Sequence, residues 1–152
     1  MNMFPHTVTV YNHIGESIET GLPESKITIL RGVLLEISQG ANIMKSGLDN
    51  ADKAKLHIPF AVVAVDGESG LPQKYISPKE YDRLEDKTGF WTIGSRDNFS
   101  GQECFFVKGE VVNKMADYAT INDLYDYAYR VSTVDIYDYG SPNMQHFEVG
   151  GQ

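Results

Sequence analysis

The order of apolar and polar residues predicts a chain built mainly of β-strands. Residues 7–11 (TVTVY) alternate, with Val8 and Val10 on one face, as in a strand that buries one side. The other segments of strand character are residues 26–38, 54–65, 90–93, 103–107, 129–139 and 144–149. Between them lie clusters of Gly, Pro, Asn and Asp, the residues that favour turns. The pattern therefore indicates several strands of unequal length joined by loops.

Two residues interrupt the longest strands. Gly32 lies in the middle of residues 26–38, where a glycine indicates a bulge or a sharp bend. Pro59 lies within residues 54–65 and has no amide hydrogen for the sheet, so we expect an edge position or a bulge there.

Two short helices are predicted as well. Ser77 can cap a helix in which Pro78 takes the first position and Glu80 completes a capping box. A second helix is predicted over residues 120–124, with Thr120 as its cap. The expected fold is mainly β, a small β-barrel or sandwich with two short helices and long loops, in a single domain over residues 1–152.

Composition narrows the possible functions. The chain has 152 residues and a net charge of -8, and this acidity argues against binding nucleic acid or anionic lipid through a basic surface. No apolar run approaches the roughly 20 residues of a membrane span, and we expect no signal peptide. The single cysteine, Cys104, excludes an intrachain disulfide and a cysteine-rich zinc site, and its apolar surroundings predict a buried thiol.

Motifs for catalysis or cofactor binding are not apparent. The sequence has no phosphate-binding glycine loop, no HExxH and no GxSxG. Its four histidines fall on different predicted elements. They are either separate hydrogen-bonded side chains or, less simply, ligands of a metal site assembled in space. Asp135 and Asp138 point to opposite faces of one strand, which disfavours a catalytic pair. We expect no catalytic residue, cofactor or metal.

The connection between the two long strands, residues 39–53, exceeds what a hairpin needs. It combines glycines with apolar side chains and is either a binding or gating loop, or an Ω-loop folded onto its own barrel. Its candidate contact residues are Gly40, Asn42, Ile43, Met44, Lys45, Ser46, Gly47 and Leu48.

Tyrosines crowd the last third of the chain. Tyrosine is enriched at protein interfaces, but packing in the core with exposed hydroxyls is an equally good interpretation. Stacking on nucleic acid is disfavoured because acidic residues lie between the tyrosines. The candidate interface residues are Tyr125, Tyr127, Tyr137 and Tyr139.

Several segments resemble the head-closure, or head–tail joining, neck proteins of siphophage-like tailed phages and prophages. The resemblance lies in Asn42-x-x-Lys45-Ser46-Gly47-Leu48, bounded by Gly40 and followed by a strand that ends in Ile58-Pro59. Residues 8–12, 106–109 and 139–151 are also similar to that group.

The resemblance implies a non-enzymatic virion protein, assembled in the host cytoplasm. Its fold would be a small β-barrel with one long loop, residues 40–52, directed at the channel or a neighbouring subunit. Such proteins form a closed ring beneath the portal or its adaptor, close the channel and dock the tail proteins. Double-stranded DNA would pass through without specific binding, which an acidic lumen permits.

Three alternatives stay open. Within the same class, the chain could be a tail terminator or another tail-proximal connector. From other classes, it could be a small β-barrel enzyme or ligand-binding domain, or a cellular interaction module. A deep pocket with strongly shifted carboxylates would favour the enzyme or ligand-binding domain, and a wide, shallow surface would favour the structural protein.

Overall fold

The fold is known from a computed structural model, which describes residues 4–16, 23–37, 53–94, 104–112 and 118–152. Within these residues the chain is mainly β. The strands are β1 His6–Glu16, β2 Pro23–Ile37, β3 Ala54–Pro59, β4 Val63–Asp66, β5 Lys74–Tyr75, β6 Phe90–Trp91, β7 Cys104–Lys108, β8 Ala128–Tyr137 and β9 His146–Gly151.

Six of these strands form a closed antiparallel barrel. Its strands follow the order β1-β7-β8-β9-β3-β2, and pairing of β2 with β1 completes the circle. The expectation of a mainly β fold is confirmed, and the architecture is a barrel rather than a sandwich. Closure pairs the edges that an open sheet of this size would leave free.

Strand β2 contributes to the barrel along two different stretches. Its first part pairs with β1 on one side and with β4 on the other, and its last residues, Leu34 to Ile37, pair with β3. The change of partner follows Gly32, whose φ is +91°, a conformation that side chains with a Cβ rarely adopt. The predicted bend at Gly32 is therefore present.

The predicted single strand over residues 54–65 is two strands in the structure. β3 ends at Pro59 and β4 begins at Val63, and both run antiparallel to β2 along the same line. Between them the Val62 amide donates to the Pro59 carbonyl in a tight turn. The interruption follows from Pro59, which cannot donate to a neighbouring strand. β4 is the additional strand beside the six-stranded barrel.

Alternation along the strands fills the barrel interior and also covers part of its outer wall. The interior holds side chains from all six barrel strands, together with Trp91 and Ile93. On β7, Phe106 points into this core, whereas Phe105 and Val107 point outward into a second apolar cluster. That cluster also contains Ile121, so it attaches a helix to the outside of β7 and β8.

Both predicted helices are present, one with a corrected start. α1 spans Pro78–Arg83, and Ser77 caps it by accepting from the Glu80 amide at 3.4 Å and donating to the Glu80 carboxylate at 3.1 Å. α2 spans Tyr118–Leu124, so Thr120 lies inside the helix and is not its cap. No helix in the described ranges is long and apolar enough to cross a membrane.

A small accessory unit closes one end of the barrel core. β5 and β6 pair in parallel, with α1 between them in the chain. The unit directs Trp91 into the barrel, where the Tyr75 ring meets it edge to face at 5.3 Å. Glu80 and Asp82 of α1 are exposed, as expected of a solvated helix face, and Glu85 and Asp86 are exposed in the segment that follows the helix.

Candidate functional site

The candidate loop residues, Gly40, Asn42, Ile43, Met44, Lys45, Ser46, Gly47 and Leu48, lie outside the described residues. Their attachment to the barrel is described. Ile37 pairs with Ala54 across β2 and β3, and the Lys53 amide donates to the Gly151 carbonyl at 2.8 Å. Both ends of the segment therefore leave the barrel at one rim, which we call the loop rim.

An aromatic surface lies at this same rim. Tyr125 and Tyr127 follow α2 and are 37% and 36% exposed, and Leu124 beside them is 60% exposed. We call these three residues the α2 patch. Tyr127 also lines a cavity of about 310 Å³ together with Ile37 and Lys53. Within the α2 patch, Tyr127 is thus next to the root of the candidate loop.

A second apolar surface lies at the opposite rim, where β8 ends and β9 begins. We call it the groove patch, because two of its side chains, Phe60 and Ile136, line an open groove of about 450 Å³. Its exposed side chains are Phe60, Ile136, Tyr139 and Met144. Tyr137 is half-buried and meets the Tyr139 ring at 5.9 Å.

The structure groups the four candidate tyrosines into two pairs. Tyr125 lies near Tyr127, and Tyr137 lies near Tyr139, but strand β8 separates the pairs. A ten-residue strand is roughly 30 Å long. The candidate interface is therefore two different surfaces at opposite ends of one barrel.

The outer wall beside the groove patch carries a histidine–glutamate cluster that sequence reasoning missed. His57 of β3 and His146 and Glu148 of β9 each offer a ligand atom, and these atoms all lie within 4.8 Å of one another. Glu148 Oε1 is 3.4 Å from His57 Nδ1 and 3.9 Å from His146 Nε2. The strand spacing His146-x-Glu148, which places both side chains on one face, was the available signal.

The second nitrogen of each ring also faces an acceptor. His57 Nε2 lies 3.6 Å from Glu36 Oε1, and His146 Nδ1 lies 2.8 Å from the Met144 carbonyl oxygen. The Tyr137 ring stacks on His146 with a centroid distance of 4.9 Å. A hydrogen bond to the Glu148 carboxylate raises the pKa of Tyr137. Both imidazoles are thus oriented with one nitrogen toward Glu148.

The model of a family of unknown function, DUF6751, matches residues 3–152. The chain belongs to DUF6751. No curated protein and no solved structure matches the chain.

Other groups of this DUF6751 chain also have shifted pKa values. Cys104 is buried, as predicted, and burial raises the pKa of its thiol to about 12, so the thiolate that would act as a nucleophile is disfavoured. Among the described carboxyl groups, those with a resolved shift are Asp66 and Asp86, and both have a lowered pKa. Neither of these two carboxyls holds a proton at neutral pH as a general acid would.

Proposed function

We propose that the protein is a non-enzymatic structural component of a tailed-phage neck. In this proposal identical subunits form a closed ring between the portal or its adaptor and the tail, close the DNA channel and dock the tail proteins. The ring is assembled in the host cytoplasm and remains in the virion. The resemblance carried by Asn42, Lys45, Ser46 and Gly47 specifies the neck.

The observation that carries the proposal is the presence of two different apolar surfaces at opposite rims. A ring requires a heterologous contact, in which one surface of a subunit meets a different surface of the next. The α2 patch and the groove patch differ in composition and lie about one strand length apart. Exposed tyrosine, phenylalanine and methionine side chains are enriched at protein interfaces.

The fold provides further support. The barrel agrees with the fold that the resemblance implies, and β3 ends in Ile58-Pro59 as in the resembling proteins. The segment with the resembling motif connects β2 to β3 at one rim, so it can extend from the barrel without interrupting a strand. The groove at the other rim is open to solvent, as a docking surface would be.

Variants of each patch test the ring. We expect Leu124→Ser/Tyr125→Ser and Tyr139→Ser/Met144→Ser to fold normally but to lose self-association. Loss of a single well-packed anchor weakens a contact about tenfold or more. In crosslinking at high protein concentration, the wild-type chain should give a ladder of oligomers and each variant a monomer. Leu71→Ser is the matched control, because Leu71 is 60% exposed but lies in neither patch.

Mixing the two patch variants tests whether the contact is heterologous. The α2-patch variant retains its groove patch, and the groove-patch variant retains its α2 patch, so one intact contact can form between them. The mixture should therefore give dimers and no longer species. A full ladder from the mixture, or from either variant alone, would contradict the proposed contact.

The neck assignment is tested in particles. In the phage or prophage that encodes the chain, replacing residues 42–48 by a glycine–serine segment of equal length should leave the purified protein's melting temperature unchanged. We expect heads that leak DNA or fail to acquire tails, seen by electron microscopy and plaque counts. Infectious particles in normal yield would overturn the loop assignment. Filled heads with tails of irregular length would indicate a tail terminator instead.

A further inference from the structure

We propose that His57, His146 and Glu148 form a binding site for a divalent transition-metal ion, with zinc as the best-suited ion, on the outer wall of the barrel. Imidazole nitrogen and carboxylate oxygen are both common zinc ligands, and three protein ligands leave a fourth position for water. The site lies beside the groove patch, since His146 is the first residue of β9 and its Nδ1 faces the Met144 carbonyl oxygen, but the proposal does not rest on the proposed neck function.

The distances are close to those of a metal site. Ligand atoms at about 2.1 Å from a tetrahedral zinc ion lie roughly 3.4 Å from one another. Glu148 Oε1 lies 3.4 Å from His57 Nδ1 and 3.9 Å from His146 Nε2. All three ligand atoms lie within 4.8 Å of one another, so side-chain rotations would bring them to one ion.

The surroundings of the two rings are the stronger observation. A metal-binding histidine usually donates its other ring N–H to a carboxylate or a backbone carbonyl, which fixes the tautomer and the ring orientation. His146 Nδ1 lies at hydrogen-bond distance, 2.8 Å, from the Met144 carbonyl oxygen, whereas His57 Nε2 lies near Glu36 Oε1 at 3.6 Å without a hydrogen bond among the described residues. In both rings the nitrogen nearer Glu148 can serve as the ligand atom. Two histidines from neighbouring strands therefore converge on one carboxylate, as expected of a metal site.

The partial burial of the three side chains and the pairing of their strands also fit a metal site. The side chains of His57, His146 and Glu148 are 15%, 28% and 22% exposed, so an ion can enter from solvent but is partly shielded. His57 comes from β3, and His146 and Glu148 come from β9, which pairs with β3. A bound ion would therefore crosslink two neighbouring strands of the barrel wall. Ion binding should stabilise the folded chain, because the unfolded chain does not hold these ligands together.

The test uses the full chain, purified without a histidine tag and stripped with EDTA. We expect one equivalent of Zn²⁺ to bind in calorimetry. Zn²⁺ at about a hundred times its dissociation constant should raise the melting temperature by roughly 5 to 10 °C. Co²⁺ should give the visible absorption of a low-symmetry nitrogen–oxygen site.

Variants locate the ion. His57→Gln, His146→Gln and Glu148→Gln should each abolish the zinc-dependent rise in melting temperature, and Glu36→Gln should weaken binding about 10-fold. His13→Gln is the control, since it removes one histidine from strand β1, away from the cluster. Thermal unfolding in EDTA verifies that each variant is folded. If His57→Gln does not fold, Glu148→Gln provides the same test. Absence of zinc binding by the wild-type chain, or binding that persists in the ligand variants, would overturn the proposal.

Discussion

Two buried threonines occupy very different hydrogen-bonding environments. Thr9 and Thr28 are both fully buried on neighbouring strands. Thr9 Oγ1 donates to the Gly109 carbonyl at 2.8 Å and accepts from the Val111 amide at 2.9 Å, so one hydroxyl fixes the chain after β7. Thr28 Oγ1 has no hydrogen-bond partner in the described part of the chain. Comparing Thr9 with Thr28 therefore distinguishes the contribution of a hydrogen-bonded hydroxyl from that of a hydroxyl that is only packed.

We expect the same substitution to have different effects at these positions. Thr9→Val should lower the free energy of unfolding by about 2 kcal/mol, because it leaves a buried amide and carbonyl without partners. Thr28→Val should be neutral or stabilising by about 1 kcal/mol, because it removes an unsatisfied hydroxyl. Urea unfolding of both variants, with fluorescence of Trp91 as the probe, measures the difference. Equal losses at the two positions would contradict the hydrogen-bond assignment.

At the scale of single residues, the sequence predicted the features that depend on neighbouring residues in the chain. The apolar neighbours of Cys104 predicted a buried thiol, and the capping box at Ser77 fixed the start of α1. The cluster of His57, His146 and Glu148 was missed because it depends on which strand pairs with β3. His57 and Glu148 are 91 residues apart in the chain, and no local pattern records their register.

At the scale of elements, strand β2 depends on an unusual backbone conformation at one residue. Gly32 has φ +91°, and a Cβ built there would meet no atom within 4 Å. A substitution would therefore cost backbone strain and no steric clash. At Gly151, by contrast, a Cβ would lie 2.8 Å from Tyr129 Cβ and 2.9 Å from Phe106 Cζ.

Substitutions at Gly32 and Gly151 should therefore lower the free energy of unfolding for different reasons. Gly32→Ala should lower the free energy of unfolding by about 1 to 3 kcal/mol through strain, and Gly32→Asn by less, because asparagine adopts positive φ more readily. Gly151→Ala should be destabilising through overpacking, and Phe106→Leu should partly relieve it. Chemical denaturation of the single and double variants measures both effects. If Phe106→Leu also reduced the destabilisation caused by Gly32→Ala, the distinction between strain at Gly32 and overpacking at Gly151 would be contradicted.

The elements were easier to predict than their pairing. Alternation and β-branched runs located the main strands, although residues 54–65 form two strands and α2 starts at Tyr118. The parallel pairing of β5 with β6 left no signal, since each strand is only two residues long. The choice between barrel and sandwich depends on whether β1 meets β2 as well as β7, which alternation does not encode.

For the whole molecule, the charge of -8 is a property that the proposed ring would use. A protein that surrounds DNA without retaining it should offer few cations to the phosphates. We expect the purified chain to show no binding to a double-stranded DNA fragment at low salt in fluorescence anisotropy. A basic peptide of similar concentration is the positive control. Binding that weakens steeply with added salt would contradict passage without retention.

Strand β9 has a consequence for synthesis on the ribosome. It is the last of the barrel strands to be made, yet it lies between β3 and β8 and pairs with both. Until residues 146–151 emerge, the nascent chain has two unpaired strand edges, and its wall has a gap where Phe147 and Val149 belong. Barrel closure is therefore a late step of biosynthesis, and a pause in translation before β9 would prolong the period in which the nascent chain can pair with other chains.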